Sequence, residues 1–101
     1  MTDESEKILK TLRDHREEIL GVGEVYGARN VRVFGSVARG EAGPHSDVDL
    51  LIDLTDGRTL FDLVDLEDRW AQIIHRSVDV VTERGMSRHM KPRVLAEAVN
   101  L

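Results

Sequence analysis

Apolar residues recur at helical spacing along the start of the chain, with Ile8, Leu9, Leu12, Ile19 and Leu20 on one stripe. The pattern predicts a helix from about Thr2 or Ser5 to Leu20. Asp3, Glu4 and Glu6 crowd its first turn, where the helix dipole favours negative charge, and Gly21 and Gly23 are placed to end it. A turn from Val22 to Tyr26 leads through Gly27 into an alternating run, Asn30 to Phe34, that reads as a strand. A short helix follows at Gly35-Ser36. Asp47 to Leu54 is the second strand, and its near-continuous apolar residues fit a central strand buried on both faces. After the turn Thr55-Asp56-Gly57, a second long helix runs from about Thr59 to His75. Thr59 and Asp62 form a capping pair there, and Leu60, Leu63, Val64, Trp70, Ile73 and Ile74 are expected on its core face. Val78 to Thr82 is the third strand. Pro92 suits the first turn of a last short helix whose Val94, Leu95, Ala98 and Val99 are apolar. This alternation predicts an α/β fold, a small mixed three-stranded sheet flanked by helices in the order α-β-α-β-α-β-α.

Composition narrows the class. A chain of 101 residues fits one domain, spanning 1–101, with room for a core. Hydrophobic and charged shares of 41% and 33% describe an ordinary soluble globule. There is no cysteine, which excludes disulfides and thiolate metal sites. No apolar run approaches the roughly 20 residues that span a bilayer, and the acidic start MTDESEK is unlike a secretory signal. A cytoplasmic protein without membrane contact is expected. The net charge of −5 argues against direct nucleic-acid binding, which draws on clustered Lys and Arg. The one loose cluster, Arg84, Arg88, Lys91 and Arg93, reads as a solvated helical face.

Candidate chemistry concentrates in FGSVARGEAGPHSDVDLLIDL. Gly35 and Ser36 stand where a strand turns into a helix, and free N–H groups at such a turn favour a phosphate. Gly35, lacking a Cβ, allows close approach of a phosphate to the backbone, and Ser36 can offer its N–H and hydroxyl. Ten residues later, Asp47 and Asp49 fall two apart on a strand and so point to one face. Paired carboxylates need a cation between them, and Mg²⁺ prefers oxygen ligands. Asp79 interrupts the apolar third strand. If that strand lies beside the second, Asp79 joins Asp47 and Asp49 around two Mg²⁺ ions. The other reading of Asp79 is a water-exposed strand end or a pair with an arginine such as Arg76. Arg39 either reaches the phosphates or pairs with Glu41. Ser46 either contacts nucleotide or shapes the turn with Gly43 and Pro44. His45 reads as a loop histidine, Asp53 as an exposed strand end, and Trp70 as core. No Walker-type loop and no zinc spacing occurs.

Together, Gly35, Ser36, Asp47, Asp49 and Asp79 resemble the DNA-polymerase-β-like nucleotidyltransferase superfamily. The extended motif is similar to that of its minimal nucleotidyltransferases, stand-alone domains of about this length, over nearly the whole chain. The resemblance implies a polymerase-β-like core and transfer of AMP from ATP to a hydroxyl, with Mg²⁺ held by Asp47, Asp49 and Asp79. It implies a HEPN-domain toxin as partner, with a toxin tyrosine as acceptor and this chain as antitoxin. Many relatives carry Arg directly after Gly-Ser; here Val37 stands there and Arg39 is the nearby cation. Two other readings remain: an antitoxin that silences its partner by binding alone, and a subunit of a small-molecule (antibiotic) nucleotidyltransferase. Homo- or hetero-oligomers fit each of them.

Overall fold

Burial of Val48, Leu50 and Ile52 on one face of a central strand, and of Leu51 on the other, organises the molecule. The computed structural model describes residues 1–101. The elements run α1 (Asp3–Asp14), α2 (Arg16–Val25), β1 (Ala28–Phe34), α3 (Gly35–Arg39), β2 (Val48–Leu54), α4 (Leu60–Ile74), β3 (Val78–Thr82), α5 (Lys91–Glu97) and β4 (Val99–Asn100). The sheet has the order β3-β2-β1-β4. β2 pairs parallel with β3, while β1 pairs antiparallel with β2 and β4. The sheet is therefore mixed, as expected, but it has four strands instead of three. The fourth arises because Ala98 turns extended (φ −63°, ψ 137°) and ends α5. Val99, expected on the last helix, instead pairs with Val33.

The first long helix is two helices. Residues 13–18, RDHREE, carry no apolar side chain, and His15 leaves the helical region at the junction. The break lets Ile8 and Leu12 from α1 and Ile19 from α2 enter the same core. α2 then runs through Gly21 and Gly23 to Val25. Gly23 is a packing glycine and not a stop signal, since a Cβ there would sit 3.2 Å from the Trp70 ring. Trp70 itself is buried, and its indole N–H donates to the Ile19 carbonyl at 2.9 Å.

The capping pair of α4 forms as expected, with the Thr59 N–H donating to Asp62 at 2.8 Å. Its core face differs from expectation. Leu66, Trp70 and Ile74 are buried and Leu63 and Ile73 partly so, whereas Leu60 is 73% and Phe61 83% exposed and Val64 also faces out. At roughly 100° per residue, Val64 lies nearly opposite Leu66. Glu67 of α4 accepts the Val80 N–H at 2.7 Å, covering an outward group of the edge strand β3. No helix is long and apolar enough to cross a membrane.

Leu66→Ala should lower stability by about 2–5 kcal/mol in chemical denaturation, while Phe61→Ser should change it by less than about 0.5 kcal/mol. Equal losses from the two substitutions would contradict this packing.

Candidate active site

The first strand delivers the site. β1 ends at Phe34, and Gly35 takes φ 74° to start the single-turn helix α3. A side chain is excluded at Gly35 twice over: by that φ, and because a Cβ would collide with the Asp49 carboxylate. Backbone turn and carboxylate therefore abut. Val37 is buried and anchors α3, leaving the first N–H groups of the helix, which have no intrahelical partner, at the Gly35-Ser36 turn. Ser36 is half-buried. Gly40 closes α3 in the left-handed region.

The second and third strands deliver the acids. In the parallel register Asp49 stands opposite Asp79, so the two share a face. Asp47 is exposed just before β2. None of the three takes part in an ion pair. Burial first, then the negative charges of Asp79 and Asp47, push the Asp49 carboxyl up to about 6; Arg39 opposes them and Glu97 adds to them. No three His, Asp or Glu side chains are gathered closely enough to hold a metal ion as they stand. Asp49 and Asp79 are carboxylates without an ion-pair partner on one open face, the oxygen chemistry that a hard divalent cation favours.

Arg76 does not neutralise Asp79. It pairs with Glu4 at 2.9 Å and donates to the Ser46 carbonyl at 3.0 Å, bracing the loop before Asp47. The Ser46 hydroxyl accepts the Gly43 N–H at 2.9 Å, so it shapes the turn. Arg39 is the last residue of α3. Its guanidinium is held by Glu41 at 3.0 Å and Glu97 at 3.2 Å. His45 is an exposed loop residue. Asp53 lies at the far end of β2, bound to Arg32 at 3.0 Å and Asn30 at 3.2 Å. The sequence reading missed Glu97 and offered Arg76 only as a partner of Asp79; their actual partners lie 58 and 72 residues away along the chain. A periodic pattern carries no trace of such distant pairs.

A cleft of about 480 Å³ opens at the opposite ends of β2 and β3, among Asp53, Thr55, Arg58, Thr82, Arg84 and Lys91. Its charges are largely matched, Arg84 to Asp56 and Lys91 to Glu83. The carboxylates without ion-pair partners and the glycine turn are at the other end of the strands.

A Gly-Ser turn abutting an Asp-x-Asp strand, with a third aspartate on the parallel neighbour, is the arrangement that the resemblance to nucleotidyltransferases leads one to expect. Residues 5–100 match the model of the nucleotidyltransferase domain. Protein adenylyltransferase MntA of Thermococcus cleftensis is 34% identical over 94 residues, 93% of this chain and 92% of its own. A chain of Methanocaldococcus jannaschii assigned as a protein adenylyltransferase is 31% identical over 90 residues, 89% of this chain and 97% of its own. A solved structure assigned as a minimal nucleotidyltransferase superposes with a TM-score of 0.82 at 46% identity, covering 92% of this chain and 95% of the other. The fold also recurs, at a TM-score of 0.66 and 23% identity, in a toxin–antitoxin structure with AMP-PNP. It covers 95% of this chain and 70% of that one. This chain belongs to the nucleotidyltransferase domain family, in its minimal branch, and is a nucleotidyltransferase.

Two outcomes follow for stability in EDTA. Because folding raises the Asp49 pKa, its stabilising contribution is full below the unfolded value near 4 and is lost as pH rises through about 6. Asp49→Asn should therefore raise the melting temperature at pH 7.5 by a few degrees, for an effect on the order of 1 kcal/mol after solvent screening, and by much less at pH 4. Gly35→Ala should lower it at both pH values. A neutral effect of Asp49→Asn at pH 7.5 would contradict the uncompensated charge.

Proposed function

We propose that this protein is a Mg²⁺-dependent adenylyltransferase that moves AMP from ATP to a hydroxyl, and that the acceptor is a tyrosine of a HEPN-type toxin in the cytoplasm, which it thereby silences as an antitoxin. The observation that carries the reading is the abutment of the Gly35 turn on Asp49, itself opposite Asp79. A phosphate seated on the turn would then lie beside the carboxylates. The adenylyltransferase MntA relative and the toxin–antitoxin structure with AMP-PNP lend support to a toxin partner and a nucleotide substrate.

Asp47, Asp49 and Asp79 would hold the divalent ions, which supply charge neutralisation for the triphosphate and acidify the acceptor hydroxyl. The chain's own residues do the rest. The Gly35-Ser36 N–H groups and the Ser36 hydroxyl donate to the terminal phosphates, fixing the leaving group. Arg39 exchanges carboxylate partners for phosphate oxygens, since a guanidinium binds both in the same forked geometry. Asp79, which is exposed, takes the hydroxyl proton. The acceptor oxygen bonds to the α-phosphorus, the bond from that phosphorus to the bridging oxygen breaks, and pyrophosphate leaves.

Incubation with Mg²⁺, the toxin partner, and ATP labelled on the α- or the γ-phosphate should label the partner from the α position only. Asp47→Asn and Asp49→Asn should each reduce labelling by at least about a hundredfold, the scale of lost electrostatic stabilisation, with unchanged circular dichroism. Full activity in either variant, or γ-labelling, would refute the mechanism. A variant that still silences the toxin without ATP would place the antitoxin effect in binding alone.

A further inference from the structure

Asp47 is the one acid of the three outside a strand, and it is exposed. Its backbone is nevertheless fixed on both sides by the link Arg76-Ser77 between α4 and β3. The Arg76 guanidinium donates to the Ser46 carbonyl at 3.0 Å. The Ser77 carbonyl accepts the Val48 N–H at 2.9 Å. Asp47 stands between those two anchors. Arg76 also donates to the Gly43 and Pro44 carbonyls, each at 3.4 Å, and pairs with Glu4 of α1 at 2.9 Å. The start of α1 holds the earlier part of the loop as well. The Thr2 hydroxyl donates to the Ala42 carbonyl at 2.7 Å, and the buried Ser5 hydroxyl accepts the Ala42 N–H at 2.9 Å. Arg76 makes no ion pair with Asp47, Asp49 or Asp79. Its bonds go to the loop and to Glu4, not to the acids of the site.

We propose that Arg76 is a positioning residue for the cation site, holding the backbone that enters Asp47 so that its carboxylate can join Asp49 and Asp79 at a divalent ion. The inference rests on the reading of those acids as cation ligands, and it adds a residue that touches neither ion nor nucleotide. No three acids converge closely enough to hold an ion as they stand. With the backbone fixed beforehand, convergence calls on side chains and not on ordering of the loop, and such preorganisation strengthens binding. Arginine suits the task. One of its terminal nitrogens serves the carbonyls and the other serves Glu4, a fork that a lysine ammonium does not reproduce. Charge alone predicts the opposite effect. A guanidinium near the acids repels a divalent ion, so its removal would tighten binding, whereas loss of positioning loosens it.

The test is Mn²⁺ binding to the intact protein without nucleotide, read from loss of the free ion's paramagnetic resonance signal. Mn²⁺ favours the same oxygen ligands as Mg²⁺. Arg76→Gln should weaken binding by about tenfold or more, the scale seen when a partner that holds a metal ligand is lost. Arg76→Lys keeps the charge and should fall between that variant and the native chain. Arg84→Gln removes one charge at the far end of the strands and should leave affinity within about twofold, since distant exposed charges are screened. Measurements are made where circular dichroism shows each variant folded; if Arg76→Gln does not fold, Arg76→Lys decides by the same sign. Unchanged or tighter binding in the Arg76 variants, even with a lowered melting temperature, would overturn the proposal, as would an equal loss in Arg84→Gln. A native chain that binds no Mn²⁺ would overturn both the proposal and the metal-dependent reading of the site. Weakened binding in Arg76→Gln, alongside a native chain that transfers no AMP, would count against adenylyl transfer alone.

Discussion

The parallel register of β2 against β3 is the constraint on which the site depends. It sets Asp49 opposite Asp79, and like charges directly opposed on a sheet repel. Antiparallel pairing or a one-residue slip would separate them or send one to the other face. The register is held by burial: Val48, Leu50 and Ile52 belong to the core under α1, α2 and α4, and Leu51 to the smaller cluster under α5. The fold thus spends hydrophobic packing to keep carboxylates where electrostatics alone would not leave them. The cost shows in Asp49, whose carboxyl burial and its neighbours lift to about 6.

The glycine turn is the complement of that constraint. α3 is a single turn, so its dipole is small, and its value lies in bringing the backbone against the Asp49 carboxylate at a point where no side chain fits. Arg39, Glu41 and Glu97 form a second layer of charge around it. Glu97 comes from α5, so the helix that closes the smaller hydrophobic cluster also touches the electrostatics of the site. Arg76 plays the matching role on the other side, tying Glu4 of α1 to the loop before Asp47.

Much of this was legible in the sequence, for identifiable reasons. β2 and β3 announce themselves as apolar runs interrupted by aspartates, and Gly35-Ser36 falls directly after an alternating strand. Thr59 and Asp62 stand three residues apart at the start of α4, the spacing of a capping box. What was illegible depended on tertiary partners. Gly21 and Gly23 look like a helix end until Trp70 is seen packed on Gly23. Leu60 and Val64 look like core until the helix is phased by Leu66, Trp70 and Ile74. The two-residue strand β4 exists only because β1 offers an edge. The Glu97–Arg39 pair joins elements with no local signal linking them.

The central claim is that Asp49, beside Asp79 and Asp47 and only partly offset by Arg39, carries a charge that the protein alone does not neutralise, and that a divalent cation relieves it. Carboxyl-carbon NMR of Asp49, titrated in EDTA and again in saturating Mg²⁺ with a non-hydrolysable ATP analogue, tests it most directly. The account predicts titration near 6 in EDTA and well below the ordinary range near 4 once the cation is bound. Titration near 4 in EDTA, unmoved by Mg²⁺ and nucleotide, would contradict it.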